Sequence, residues 1–209
     1  MDVVILVYDG LTPLEAIGPF DILGKLPKAR VRVVGLESGL VHSRGGTLGL
    51  RASAALEDVH SAEILVVPGG AAADNLAHDP TLGAWLRRVV PTARAVLGVS
   101  TGSLILAGAG LLQGVEATTH WRALDLLAGF GAKVVRRRIV TSGTLTTTVG
   151  AAAGMDAALA IADQVAGRDV ALAIAQLLGY DPEPALAPGD LFKAPDARLH
   201  LARTGLEHP

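Results

Sequence analysis

Ser100 lies in Gly98-Val-Ser-Thr-Gly102, a Gly-x-Ser-x-Gly arrangement between the apolar run Ala95 to Val99 and a helix-like segment from Gly102 to Leu112. A strand that turns sharply into a helix pushes the turn side chain into the open, beside the helix's unpaired N–H groups. That geometry is a nucleophile elbow, suited to attack by a side-chain oxygen or sulfur on an electrophilic carbon. The same spelling also suits any strand-turn-helix junction, where glycine and serine are common. Three other positions fall at or just after apolar runs. Glu15 is a candidate acid or base. Gly69-Gly70 permits close backbone approach to a ligand. His120, on the far side of the elbow helix, is a candidate base or substrate-binding group.

Each has a plainer role. Glu15 follows Thr12-Pro13 at the spacing of a capping box, with Thr12 as N-cap and Pro13 at the first helical position. Gly69 and Gly70 also fit a tight turn, and His120 a polar loop residue beside Trp121. Asp156 reads as a helix-surface or capping group, and Trp85 and Trp121 as core or dimer packing. The hydroxyl run of Ser142, Thr144 and Thr146-Thr147-Thr148 reads as a pocket wall or a strand edge and stays outside the site. No His/Asp/Glu cluster has metal-ligand spacing and no Gly-rich loop matches a phosphate cradle, so neither metal nor cofactor is expected.

These positions need elements to hold them. Asp2 to Tyr8 is a near-continuous apolar run, the mark of a strand covered on both faces. Asp9-Gly10 turns the chain into a helix from Thr12 to about Leu26, with Pro19 expected to kink or restart it. Ala29 to Leu36 predicts a second strand, Gly39 to Leu50 a glycine-punctuated hairpin, and Ala62 to Val67 another buried strand. Thr81 to Val90 is an amphipathic helix and Ala95 to Val99 the central strand. Past Ala117 to Trp121, helices are expected over Arg122 to Gly129, Ala151 to Val165 and Asp169 to Leu178. Lys133 to Ile139 alternates as a strand, and Leu145 to Thr148 adds another. Strands alternating with helices give an α/β fold: a flavodoxin-like, doubly wound, mostly parallel sheet with helices on both faces. Ligands of such sheets bind beyond the carboxyl ends of the strands, where Glu15, Gly69-Gly70, Ser100 and His120 converge. The expected organisation is one domain over 1–209, with a Pro-rich tail from about residue 180 packing on it.

Half of the 209 residues are hydrophobic but only 3% aromatic, so Ala, Val, Leu and Ile must fill the core. A net charge of −2, with Arg136-Arg137-Arg138 the densest basic cluster, argues against nucleic acid as a partner. The chain has no cysteine, which excludes disulfides and thiolate metal sites. Between Arg94 and Glu116 lie 21 uncharged residues, near the length of a membrane span. Five glycines and a strand-like opening make this a buried strand and helix instead, so no membrane association is expected. With no basic leader before the first strand, a cytoplasmic location is expected.

Six stretches, in order, carry a family resemblance: Asp9-Gly10 with Leu14 to Phe20, Val66 to Gly70, Gly98 to Leu112, Ala117 to Trp121, Ala153 to Asp156, and Tyr180 to Pro184. Together they resemble the ThiJ/PfpI superfamily of the class I glutamine amidotransferase-like fold, and within it the isonitrile (isocyanide) hydratases. The resemblance implies a cysteine elbow whose thiolate is favoured by the helix N-terminus and held by a nearby acid. Such a hydratase attacks the terminal carbon of an isonitrile, and water then releases an N-substituted formamide. By position, Ser100 stands at the nucleophile and Glu15 at the acid, where the hydratases carry aspartate. Thr101 supports the nucleophile, and the Gly69 and Gly70 amides stand as donors to developing negative charge. His120 falls on the substrate side. A homodimer and a small-molecule substrate are also implied, with apolar helix surface near Pro19-Phe20 or Trp121 available for the dimer.

Serine in place of cysteine leaves three readings open. These are a Cys→Ser change introduced into a hydratase, a member with different or no chemistry such as a ligand-binding or sensor module, and a true serine enzyme. The protease-like relatives carry histidine directly after the nucleophile; Thr101 there argues against peptidase activity. A serine hydrolase would need Asp181 and His200 as its remaining triad members, both in the Pro-rich tail.

Overall fold

Apolar runs without polar alternation must be covered on both faces, so they pair side by side beneath helices. The computed structural model describes residues 1–181. Its first half contains β1 (Asp2–Leu6), α1 (Pro13–Leu23), β2 (Arg30–Gly35), β3 (Gly39–His42), β4 (Gly49–Ala52), β5 (Ala54–Ala55) and β6 (Ile64–Val67). Next come α2 (Ala73–Ala77), α3 (Pro80–Val89), β7 (Ala95–Val99), α4 (Gly102–Gly108), β8 (Glu116–Ala117) and α5 (Leu124–Gly129). β9 (Lys133–Val134), β10 (Ile139–Ser142), β11 (Leu145–Thr148), α6 (Ala151–Ala166) and α7 (Arg168–Leu178) complete the described elements.

Seven strands form one sheet in the order β10-β11-β7-β6-β1-β2-β5. Every pairing is parallel except β10 with β11. β6 and β7 are buried along their whole length, as their Ile-Leu-Val-Val and Ala-Val-Leu-Gly-Val sequences require. The helices pack as two groups, α1 with α6 and α7, and α4 with α2, α3 and α5. This is the expected flavodoxin-like α/β fold. The hairpin predicted from the glycine punctuation forms as β3–β4, a two-stranded sheet separate from the main one.

Several expectations change in detail. Pro19 does not restart the first helix: α1 is continuous and ends at Leu23. Proline removes one helical hydrogen bond, and tight packing on α6 compensates for it, since Gly18 lies directly against Met155. The alternating stretch 133–139 is two strands in two sheets: β9 pairs with β8, and β10 with β11. The arginine run divides them, because Arg137 reaches Glu116 and Arg138 reaches Asp156. β11 is an inner strand rather than an edge, with Thr146, Thr147 and Thr148 buried. Threonine is β-branched and suits a strand interior, and its hydroxyls find partners there: Thr146 bonds Thr141, and Thr147 accepts the Thr118 N–H. The long uncharged run forms β7 and α4, and among the described residues no helix is long and apolar enough to cross a membrane. Trp85 is a core residue whose indole N–H donates to the Val59 carbonyl at 2.8 Å.

Candidate active site

β7 delivers the chain into the interior and must stop at Ser100, because Gly102 runs directly against the Val67 carbonyl and leaves no room for a side chain. Ser100 takes the turn with φ +56°, the left-handed region that a residue with a Cβ enters only when its surroundings hold it there. Its N–H donates to the Thr148 carbonyl at 2.9 Å, extending the β7–β11 pairing by one bond. Its carbonyl accepts from the Ser103 hydroxyl at 2.8 Å, the Thr119 hydroxyl at 3.0 Å and the Ser103 N–H at 3.3 Å. Strand, turn and helix therefore make the elbow that the Gly-x-Ser-x-Gly spacing suggested.

Glu15 comes from the first turn of α1 and is only 5% exposed. The capping box does not form, since Thr12 makes no side-chain cap bond. One Glu15 carboxylate oxygen instead accepts the Gly69 N–H at 2.7 Å, and the Ser100 side chain lies near enough to the same carboxyl to favour its charged form. Burial dominates its protonation and pushes its pKa up to about 7, against the opposing Gly69 hydrogen bond and the nearby Ser100 side chain. No ion pair reaches it among the described residues. A carboxyl poised there can both take and return a proton near neutral pH.

Gly69 and Gly70 follow β6 and close the other side. A Cβ on Gly69 would sit 2.7 Å from the Thr101 nitrogen and 2.8 Å from a Glu15 carboxylate oxygen, so only glycine fits. Gly70 is equally confined by Gly10 and Leu11. The preceding Pro68 is fixed by the buried Tyr8, whose hydroxyl donates to the Pro68 carbonyl at 2.8 Å. Both glycine amides are engaged inside the site: Gly69 donates to Glu15, and Gly70 donates to the Thr101 hydroxyl at 3.0 Å. They hold the acid and the elbow in place rather than standing open toward a ligand. Thr101 thus bridges elbow and glycine turn through its side chain, with its own N–H against Gly69.

His120 heads a short turn over Trp121–Ala123, one residue beyond Thr119. Its Nδ1 accepts the Arg122 N–H at 3.4 Å, while burial, then the Arg122 charge, holds the imidazole below its usual range and therefore neutral. Among the described residues no hydrogen bond joins it to Ser100 or Glu15. Trp121 stacks at a tilt against it, with Arg122 over the indole. The expected Asp181–His200 pair cannot be placed, because His200 lies outside the described residues, as does the Pro-rich tail beyond Asp181. No His/Cys/Asp/Glu group suited to a metal occurs among the described residues.

Asp156 is no simple surface group. It accepts the Tyr180 hydroxyl at 2.5 Å and pairs with Arg138. Ser103 and Thr119 were not among the sequence candidates, although both touch Ser100. Serine one turn after the elbow is a recognisable signal, because a short hydroxyl there reaches back to a carbonyl three residues earlier. Thr119 carries no local signal; only its place in the Ala117 to Trp121 block marked it. The Thr118 hydroxyl is buried without a partner among the described residues.

Comparison with known proteins places the chain in a family. The model of the DJ-1/PfpI family matches residues 1–164. The chain belongs to the DJ-1/PfpI family. It is 38% identical over 198 residues to an isonitrile hydratase of Pseudomonas putida, spanning 95% of this chain and 86% of that protein. A crystal structure of a ThiJ/PfpI family protein from Pseudomonas syringae superposes with a TM-score of 0.89 at 31% identity, covering 98% of this chain and 85% of the other. A further relative is the HTH-type transcriptional regulator CdhR of Pseudomonas aeruginosa, 30% identical over 149 residues, which cover 70% of this chain and 44% of the regulator.

Proposed function

We propose that this family member is a hydratase-type lyase that adds water to the terminal carbon of an isonitrile, with Ser100 as nucleophile and Glu15 as proton carrier. The observation that carries the proposal is the left-handed Ser100 elbow set beside the buried Glu15 carboxyl, which the Gly69 N–H holds at 2.7 Å and whose pKa burial raises to about 7. Serine is a weak nucleophile without an adjacent base, and burial makes Glu15 a far stronger base than an exposed carboxylate. In the first step Ser100 Oγ bonds to the isonitrile carbon. The hydroxyl proton passes to Glu15 and from it to that carbon, leaving a serine-bound formimidate. Water then bonds to the same carbon, and its proton goes through Glu15 to the nitrogen. As the Oγ–C bond breaks, the remaining hydroxyl proton returns to Ser100 and the N-substituted formamide leaves. Gly69 positions Glu15 throughout, Thr101 fixes the elbow, and His120 lies on the substrate side as a neutral donor. No cofactor enters these steps.

The test is formamide production from cyclohexyl isonitrile by the chain as given and by its Ser100→Cys variant. Turnover by both supports the serine mechanism; turnover by the cysteine variant alone removes it and leaves the Ser100 chain either a Cys→Ser form of a hydratase or a binding module. Inertness of both removes the hydratase reading. A sensor is the second reading, favoured by the serine elbow together with the relationship to a transcriptional regulator. For a sensor, an isonitrile or its isosteric nitrile raises the melting temperature of both forms without turnover. The same proposal includes a cytoplasmic homodimer: Leu14, Ile17 and Phe20 leave an apolar stripe exposed on α1, and light scattering coupled to gel filtration reads the mass.

A further inference from the structure

We infer that Ser103 and Thr119 are positioning residues whose hydroxyls grip the Ser100 carbonyl and thereby aim the Ser100 side chain at Glu15. The inference deepens the reading of Ser100 and Glu15 as the reacting pair and rests on it. A left-handed turn at a residue with a Cβ relaxes unless its neighbours over-determine it. Here the N–H side is fixed by the sheet, through the 2.9 Å bond to Thr148. The carbonyl side is fixed by two hydroxyls that arrive from different parts of the chain, Ser103 at 2.8 Å from α4 and Thr119 at 3.0 Å from the segment after β8. Both side chains are fully buried. A buried carbonyl requires one donor, and the backbone N–H of Ser103 already supplies it at 3.3 Å. The two hydroxyls are therefore additional to satisfaction.

Their surroundings show the same specialisation. Among the described residues every buried polar side chain other than Glu15 is a hydroxyl: Ser100 and Ser103 at the elbow, Thr118 and Thr119 after β8, and Thr146 to Thr148 on β11. The Thr118 N–H donates to the Thr147 hydroxyl at 2.9 Å, which ties the Thr119 segment to the strand that also receives the Ser100 N–H. The clamp and the elbow are thus referenced to one strand. A nucleophile must be held to within a fraction of an ångström to keep its hydrogen bond to a base. Removing the clamp lets the turn relax and separates residue 100 from Glu15.

The coupling between those two residues is the readout. In the Ser100→Cys protein the introduced thiol is the chain's only one, and its thiolate is titrated by ultraviolet absorbance with and without Glu15→Gln. Adding Thr119→Val, an isosteric loss of the hydroxyl, reduces the shift that Glu15→Gln causes by about half or more, as expected when two groups cease to touch. Thr119→Ser restores the full shift because it keeps the hydroxyl. Ser103→Ala gives the same reduction and decides the matter if Thr119→Val does not fold, as judged by circular dichroism. An undiminished shift in folded Thr119→Val or Ser103→Ala overturns the clamp, and so does failure of Thr119→Ser to restore it. Absence of any Glu15→Gln shift before the clamp is altered removes the Ser100–Glu15 pairing itself, and with it both proposals. No isonitrile is used, so a failed hydratase assay and a failed clamp remain separate results.

Discussion

Glu15 and Asp156 are carboxylates on two helices that pack together, yet their surroundings differ in kind. Glu15 is buried, with no cation paired to it among the described residues; the Gly69 N–H donates to it and the Ser100 side chain lies nearby. Asp156 is partly open to solvent, pairs with Arg138 and accepts the Tyr180 hydroxyl. A carboxylate paired with a cation serves as a strut between elements. A carboxyl deprived of both water and cation holds its proton up to neutral pH and becomes a carrier. The Tyr180 hydroxyl, pushed up to about 12 by burial and by Asp156, stays protonated and keeps donating. The difference separates a reactive corner from a structural one within a single helix layer.

The sharpest way to break this contrast is Glu15→Gln. Turnover of isonitrile by the more active of the two residue-100 forms is expected to fall about 10²- to 10⁴-fold. The limb of the pH–rate profile near pH 7 disappears with it. Asp156→Asn is expected to leave kcat within about threefold, as for a change away from reacting groups; a loss matching that of Glu15→Gln would abolish the distinction.

Stability moves the other way. The Glu15 pKa is raised on folding from 4.5 to about 7, so the fold favours the protonated form. That contribution is complete below pH 4.5 and is lost as pH rises through about 7. Glu15→Gln carries no charge to bury, so denaturant titrations should find it more stable than the parent by about 3 kcal/mol near pH 8. The two converge near pH 4. A parent that is more stable than the variant at pH 8 would show that the carboxylate has a partner which compensates its burial.

Asp156→Asn has the opposite sign, a destabilisation of about 2 kcal/mol in the same titrations, because Arg138 loses its partner at a partly exposed site. Tyr180→Phe is the smallest change, about 1 kcal/mol for one hydrogen bond. If both are neutral, the Arg138–Asp156–Tyr180 contact is no strut.

Much of this was legible from residue order. Continuous apolar runs gave β1, β6 and β7, and Gly98 to Gly102 located the elbow, because both signals are local. Glu15 was ambiguous because its role depends on Gly69, which lies 54 residues away and meets it only through the sheet order β7-β6-β1. The same limit hid Thr119, whose partner is 19 residues distant. The apparent strand from Lys133 to Ile139 failed for a different reason: a local pattern could not show that Arg137 and Arg138 turn toward separate acids. The paired glycines were visible as a turn after a strand, but which acceptors their N–H groups meet is a tertiary fact. The threonine run of β11 read as either a pocket wall or a strand edge, whereas its hydroxyls pair with one another and with the backbone in the interior.

The elbow also fixes how this protein meets oxidants. A thiolate at such a corner climbs from sulfenic to sulfonic acid, and the later steps are irreversible. An alcohol in the same left-handed turn has no such ladder, and the chain holds no cysteine. Exchanging one atom at residue 100 therefore trades intrinsic nucleophilic strength for a site that peroxide leaves unchanged.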